Sequence, residues 1–256
     1  MSATLKKVER TLTAIPGLDE MLDGGLPRGR VILVLGEPGA GKTILGSQFL
    51  LNGIQKFNEK GLFVSLEENK GHYLDEMNTF EWDMESSMKH DQLLFIDASP
   101  IRSAPSHVQV MNLTLGQPFF SLVALLEIIK TQAASGGVRR IVVDPVSQLI
   151  IQYSDPTERR KAMLDLVEAL SITGATCLLT SELRSVATHF EGGTRRLQLE
   201  EYLVHGVIVM QTTTFGKNSQ RIIQVEKMRG TRIDRSPRPY NIGENGIEVY
   251  SREAVM

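Results

Sequence analysis

The segment Gly36-Glu-Pro-Gly-Ala-Gly-Lys42-Thr43 constrains this chain more than any other, because it fits the pattern G-x-x-x-x-G-K-[ST] in full. Glycines in such a loop let successive backbone N–H groups turn inward around a phosphate, while the following helix presents its positive end. The loop therefore needs a strand before it and a helix after it. Val31-Ile-Leu-Val-Leu35 is a continuous apolar run, the pattern of a parallel strand buried on both faces. Thr43 to Phe57 reads as a helix with Leu45, Phe49, Leu50 and Ile54 on one side. The predicted nucleotide contacts run from Gly36 through Glu37, Pro38, Gly39, Ala40, Gly41, Lys42 and Thr43 to Ile44. Lys42 is expected on the β- and γ-phosphates and the Thr43 hydroxyl on Mg2+.

Further strand–helix alternation follows. Gly61–Leu66, Leu93–Asp97, Arg140–Asp144 and Ala175–Thr180 read as strands, and Tyr73–Phe80, Phe119–Ala134 and Thr157–Ile172 as helices. Residues 98–118, punctuated by Pro100, Pro105, Gly116 and Pro118, read as a loop or insertion. Gly206–Met210 and Arg221–Val225 flank Gly216-Lys-Asn-Ser219 and predict an antiparallel hairpin. The expected class is α/β, a mostly parallel central sheet flanked by helices with a C-terminal β-hairpin. At 256 residues the chain suits one domain, residues 1–256 with a core over 10–250.

Composition narrows the function. With 41% hydrophobic and 23% charged residues the chain is neither disordered nor collagenous. No apolar stretch approaches the roughly 20 residues of a spanning helix, and Met1–Lys7 lacks the apolar core of a signal peptide. A cytoplasmic protein without a membrane partner is expected. The 28 basic and 30 acidic residues nearly cancel, which disfavours nucleic acid as the main ligand. Cys177, the lone cysteine, lies in an apolar run and reads as a buried small hydrophobe. The five histidines, at 72, 90, 107, 189 and 205, never pair at metal-binding spacing. Arg184, Phe190, Arg195 and Arg196 form a small basic stretch that reads first as a solvated loop. Arg229, Arg232, Arg235 and Arg238 recur every third residue, but Pro237 and Pro239 exclude a helix there.

A phosphate loop also needs an acid at the end of another strand. Asp144, closing Arg140-Ile-Val-Val-Asp144, suits the Mg2+-organising role. Glu67-Glu68 follows the second strand at the carboxyl edge, where open α/β sheets bind ligands. Their spacing alone fits equally a general base with a supporting charge and a solvated helix-start pair. Lys227 and Arg229, one residue apart at a strand end, are expected on one face.

Several motifs together resemble one superfamily. Ile15-Pro-Gly-Leu-Asp-Glu-Met-Leu-Asp-Gly-Gly-Leu26 precedes the phosphate loop as in the RecA/RadA/KaiC ATPases. Ser65-Leu-Glu-Glu68, Val142-Val-Asp144, Leu178-Leu-Thr-Ser-Glu182, the stretch Glu200–Met210 and Val225-Glu-Lys-Met-Arg-Gly230 resemble the KaiC-like branch in the same order. The resemblance implies a RecA-like P-loop fold and a single-domain ATPase forming homo-oligomeric, commonly hexameric, rings with ATP between subunits. It makes Glu67 and Glu68 a catalytic pair and puts Lys227 and Arg229 at the neighbour's γ-phosphate. A regulatory role through a protein partner is the first functional expectation, and a RadA/RecA-like DNA-dependent ATPase of recombination or repair is the alternative. Two departures stand out. Pro145 follows Asp144 where the family usually has Ser, and Glu201 and Tyr202 stand where the resembled KaiC branch carries an adjacent Ser and Thr that become phosphorylated.

Overall fold

The computed structural model describes residues 8–99, 122–183, 198–215, 218–253 and 255. In chain order, a short strand β1 (Arg10–Thr11), helix α1 (Leu18–Met21) and strand β2 (Leu26–Pro27) lead into β3 (Val31–Gly36) and α2 (Lys42–Phe57). Next come β4 (Gly61–Ser65), α3 (Lys70–Asn78), α4 (Met84–Lys89), β5 (Leu93–Asp97) and α5 (Leu122–Gly136). They are followed by β6 (Arg140–Asp144), α6 (Ser147–Ile150), α7 (Pro156–Ile172), β7 (Thr176–Glu182) and α8 (Leu199–Leu203). The chain closes on β8 (Gly206–Phe215), β9 (Asn218–Met228), β10 (Arg238–Gly243) and β11 (Gly246–Val249).

Among the described residues, nine strands form one sheet in the order β5-β4-β6-β7-β3-β8-β9-β10-β11. From β5 to β8 the strands are parallel, and from β8 onward each pairing is antiparallel. The apolar runs owe their continuity to burial on both faces. In β3, Val31, Leu33 and Leu35 face one core with Leu125 and Ile129 of α5 and Met163 and Leu166 of α7. Ile32 and Val34 face the other, with Leu45 and Phe49 of α2 and Tyr73 of α3. Successive residues of a strand point to opposite faces, so a strand covered on both sides is apolar throughout.

The expected α/β architecture is present, with shifts at element ends. The helix expected over Tyr73–Phe80 is α3, Lys70–Asn78, the strand expected over Ala175–Thr180 is β7, running on to Glu182, and both hairpin strands are longer than expected. Residues 100–121, including most of the predicted loop and the first residues of the Phe119–Ala134 helix, lie outside the described residues, as do Arg184, Phe190, Arg195 and Arg196.

One buried cation ties the phosphate-loop helix to the sheet. Arg140, 1% exposed, opens β6. Its Nε donates to Glu59 Oε2 at 2.7 Å and its Nη1 to the Phe49 carbonyl at 2.9 Å, with the guanidinium 4.5 Å from the Phe49 ring centre. A Cβ on Gly53 would stand 2.4 Å from the Arg140 side chain, so glycine is required at that turn of α2. The strand that begins at this anchor ends at Asp144.

Candidate active site

The carboxyl edge of the parallel strands gathers the predicted residues. β3 ends at Gly36, and the chain turns through Gly39 and Gly41, at φ +76 and +88, a region favouring glycine. α2 then starts with no capping side chain and no acid in its first turn. By contrast α3, α4 and α7 are capped by Asn69, Asp83 and Asp155. The amides opening α2 thus remain available to an anion, and the helix dipole favours one there.

Lys42 folds back on its own loop, donating to the Gly36 and Glu37 carbonyls at 3.1 and 3.0 Å. Partial burial lowers its ammonium pKa, while Asp144, Glu182, Glu67 and Glu37 oppose the shift. Thr43 Oγ1 donates to Asp144 Oδ2 at 2.8 Å, and the Thr180 hydroxyl donates to Asp144 Oδ1. Asp144 is buried, which raises its carboxyl pKa against the pull of these two hydroxyls and Lys42. The result is a buried carboxylate held by hydroxyl donors from β7 and α2, next to a lysine.

The paired acids stand beside it. Ser65 of β4 pairs with Asp144 of β6 in register, and Ser65 Oγ shapes the turn that follows, donating to the Glu68 carbonyl at 2.6 Å and accepting its amide at 3.0 Å. Glu67 is exposed and Glu68 half-buried. Burial, then the charges of Glu76, Asp144 and Glu67, push the Glu68 carboxyl upward. Glu182, level with Gly36 across β3 and β7, completes the acidic rim. Lys42, Thr43, Glu67, Glu68 and Asp144 therefore converge on one edge.

Lys227 and Arg229 do not join them. Through β8, Met228 is level with Ile32, so Arg229, whose amide donates to the His205 carbonyl at 2.9 Å, stands at the start of β3. The separation from Gly36 is roughly 17 Å along the strand at ~3.3 Å per residue, plus two strand spacings of ~4.8 Å. Lys227 Nζ donates to the Glu201 and Val204 carbonyls, both at 2.8 Å, at the end of α8. Its partial burial and then Arg229 lower its pKa. β9 ends at Met228, so strand alternation does not extend to Arg229, which is exposed.

Contacts that support the loop escaped the sequence reading. Tyr240 of β10 donates to the Ala40 carbonyl at 2.6 Å, the Thr212 amide of β8 donates to Glu37 Oε2 at 3.1 Å, and Tyr73 donates to Ser47 Oγ at 3.1 Å. No local pattern marks them, because each joins residues far apart in the chain. Glu201 is buried and accepts the Gln198 amide at 2.7 Å, capping its own helix, while Tyr202 is exposed. Cys177 is buried, as expected. No group of three or more His, Cys, Asp or Glu among the described residues is arranged to hold a metal ion.

The fold and this edge define a P-loop ATPase of the RecA-like class. A profile of the KaiC ATPase matches residues 11–254, and the chain belongs to the KaiC family of ATPases. The circadian clock oscillator protein KaiC of Picosynechococcus sp. is 31% identical over 249 residues, covering 97% of this chain and 46% of that protein. KaiC of Synechococcus elongatus is 31% identical over 243 residues, with 95% and 44% covered. The chain thus spans less than half the length of these curated relatives. A solved KaiC-like protein from the archaeon Pyrococcus horikoshii OT3 shares 30% identity and a TM-score of 0.78, covering 95% of this chain and 99% of that one.

Proposed function

We propose that this chain, as one ATPase domain, assembles into a homo-oligomeric ring, hexameric as is common for the resembled class, that binds ATP between subunits. Hydrolysis then switches subunit conformation for a protein partner in the cytoplasm. The carrying observation is the placement of Arg229 at the opposite end of β3 from Gly36, beyond the reach of any side chain to its own phosphate loop. A cation there serves phosphoryl transfer only across a subunit boundary.

Within one subunit, Lys42 leaves the Gly36 and Glu37 carbonyls for the β- and γ-phosphates, and the loop amides from Gly36 to Ile44 surround them. Thr43 and Asp144 offer oxygen donors, a hydroxyl and a buried carboxylate, which suit a hard cation such as Mg2+. Bound there, Mg2+ neutralises charge on the terminal phosphates. Glu67 takes the proton of the attacking water, and Glu68 supplies supporting charge. Arg229 of the neighbouring subunit meets the developing charge on the transferred group, with Lys227 beside it.

The test is ATP turnover measured with and without single-stranded DNA, on protein whose oligomeric mass is determined in the same buffer. The expected result is turnover that rises with assembly and ignores DNA. Full activity in a monomer contradicts the ring. DNA-stimulated turnover with steep salt dependence replaces this reading with the recombinase-like one.

A further inference from the structure

A loop that turns its amides inward toward phosphate must turn carbonyls outward, and each buried carbonyl then needs a donor. The Gly36 and Glu37 carbonyls are doubly supplied. Lys42 donates to both, and the Leu183 and Ala40 amides donate to Gly36 and Glu37 at 3.0 and 3.1 Å. The lysine part of that support departs when Lys42 turns to phosphate.

Ala40 is served differently. It is buried, and its carbonyl accepts the Tyr240 hydroxyl at 2.6 Å from a strand 200 residues later. This donor sits on β10, outside the phosphate loop. Burial pushes the Tyr240 phenol far up, so the hydroxyl keeps its proton throughout the working range of pH. Two residues on, and therefore on the same strand face, the Ile242 Cδ1 atom stands 2.7 Å from where a Cβ on Gly41 would lie. Neighbouring side chains of β10 thus bracket the loop at Ala40 and Gly41. β11 is held in turn by Gln48, which donates to the Ile247 carbonyl at 3.1 Å and accepts its amide at 2.8 Å.

We infer that Tyr240 is a positioning residue for the ATPase: its hydroxyl holds the Ala40 carbonyl outward and sets the phosphate loop before ATP arrives. This makes the C-terminal strand pair β10–β11 part of the nucleotide site. The inference rests on the reading that Gly36–Thr43 holds the ATP phosphates. A loop organised alike in ground and transition states contributes uniform binding, so its loss raises KM and spares kcat.

The experiment compares the full chain with Tyr240→Phe by calorimetry with ATP and ADP, by steady-state turnover and by thermal melting. Phenylalanine keeps the ring and removes only the hydroxyl. ATP and ADP should each bind about three- to tenfold more weakly, as for loss of one hydrogen bond, with KM raised by the same factor and kcat unchanged. Ile129→Val, in the core on the sheet face opposite α2, should lower the melting temperature and leave KM in place. Wild-type affinity in Tyr240→Phe overturns the inference, whether or not its melting temperature falls, and so does a loss confined to kcat. Absence of ATP binding by the unaltered chain defeats the phosphate-loop reading itself. Binding by that chain with an indifferent Tyr240→Phe refutes only the role of Tyr240.

Discussion

At the carboxyl end of β3, Lys42 sits among Glu37, Glu67, Asp144 and Glu182; at the amino end, His205 sits among Arg30, Arg229 and Lys227. The first end is built to surround a phosphate. It has an uncapped helix, inward-turning glycines and a buried carboxylate restrained by two hydroxyls. The second end has cations but no phosphate loop. Burial, then Arg30 and Arg229, lower the His205 pKa and favour the neutral imidazole, whose Nδ1 accepts the Val31 amide at 3.2 Å. Each end lacks what the other has. A strand of six residues keeps them apart in one subunit, and in the proposed ring the amino end of one copy would meet the carboxyl end of the next. The contrast teaches why the proposed ring matters: in that reading, part of the catalytic chemistry comes from a surface that looks merely basic in an isolated chain.

The largest effect expected is at the amino end. Arg229→Ala should cut turnover about 10³-fold or more, the scale of an arginine meeting a transferred phosphoryl group, while the calorimetric affinity of the dissociated subunit for ATP stays unchanged. Equal loss of affinity breaks the contrast by putting Arg229 in its own loop's service. At the carboxyl end, Glu67→Gln should retain ATP and lose about 10²–10⁴-fold in turnover, since an amide accepts no proton from water. Persistent turnover there with loss in Glu68→Gln exchanges the two roles, and activity in both puts the base elsewhere.

Smaller effects sharpen the picture. Lys42→Ala should weaken ATP at least about 100-fold by removing charge-assisted bonds to two phosphates, and unchanged calorimetric affinity rejects the site. Asp144→Asn should impair turnover, because an amide leaves one acceptor oxygen for the Thr43 and Thr180 hydroxyls and offers a hard cation a neutral donor in place of a carboxylate. The smallest effect concerns His205. Its folded pKa lies below the ordinary value, so the unfolded chain takes up the proton first as pH falls. Stability is therefore full above about pH 6.5 and declines below it. His205→Gln should flatten that decline in urea unfolding at pH 5–7.

The carboxyl end was legible because its chemistry is local. Gly36–Thr43 names the loop, and the strands leading to Glu67 and ending at Asp144 announce themselves as apolar runs buried on both faces. The strands β10 and β11 did not announce themselves. Pro237, Pro239 and the recurring arginines disguise β10, and its contact with Ala40 depends on closing a sheet across 200 residues. Lys227 and Arg229 were legible as a pair at a strand end. Their distance from Gly36 emerged only from the order β3-β8-β9 and its registers. Glu201 shows the limit of position alone: set apart in the sequence as a departure from the resembled pattern, it caps its own helix.

Mixing tests the division of labour most directly. Arg229→Ala and Glu67→Gln subunits, each inactive alone, are combined, the formation of mixed rings is verified by native mass spectrometry, and ATP turnover is measured. In such rings an intact loop with its Glu67 on one subunit meets an intact Arg229 on the next. Recovery of part of the wild-type turnover is the predicted result, and no recovery in verified mixed rings contradicts catalysis shared between subunits.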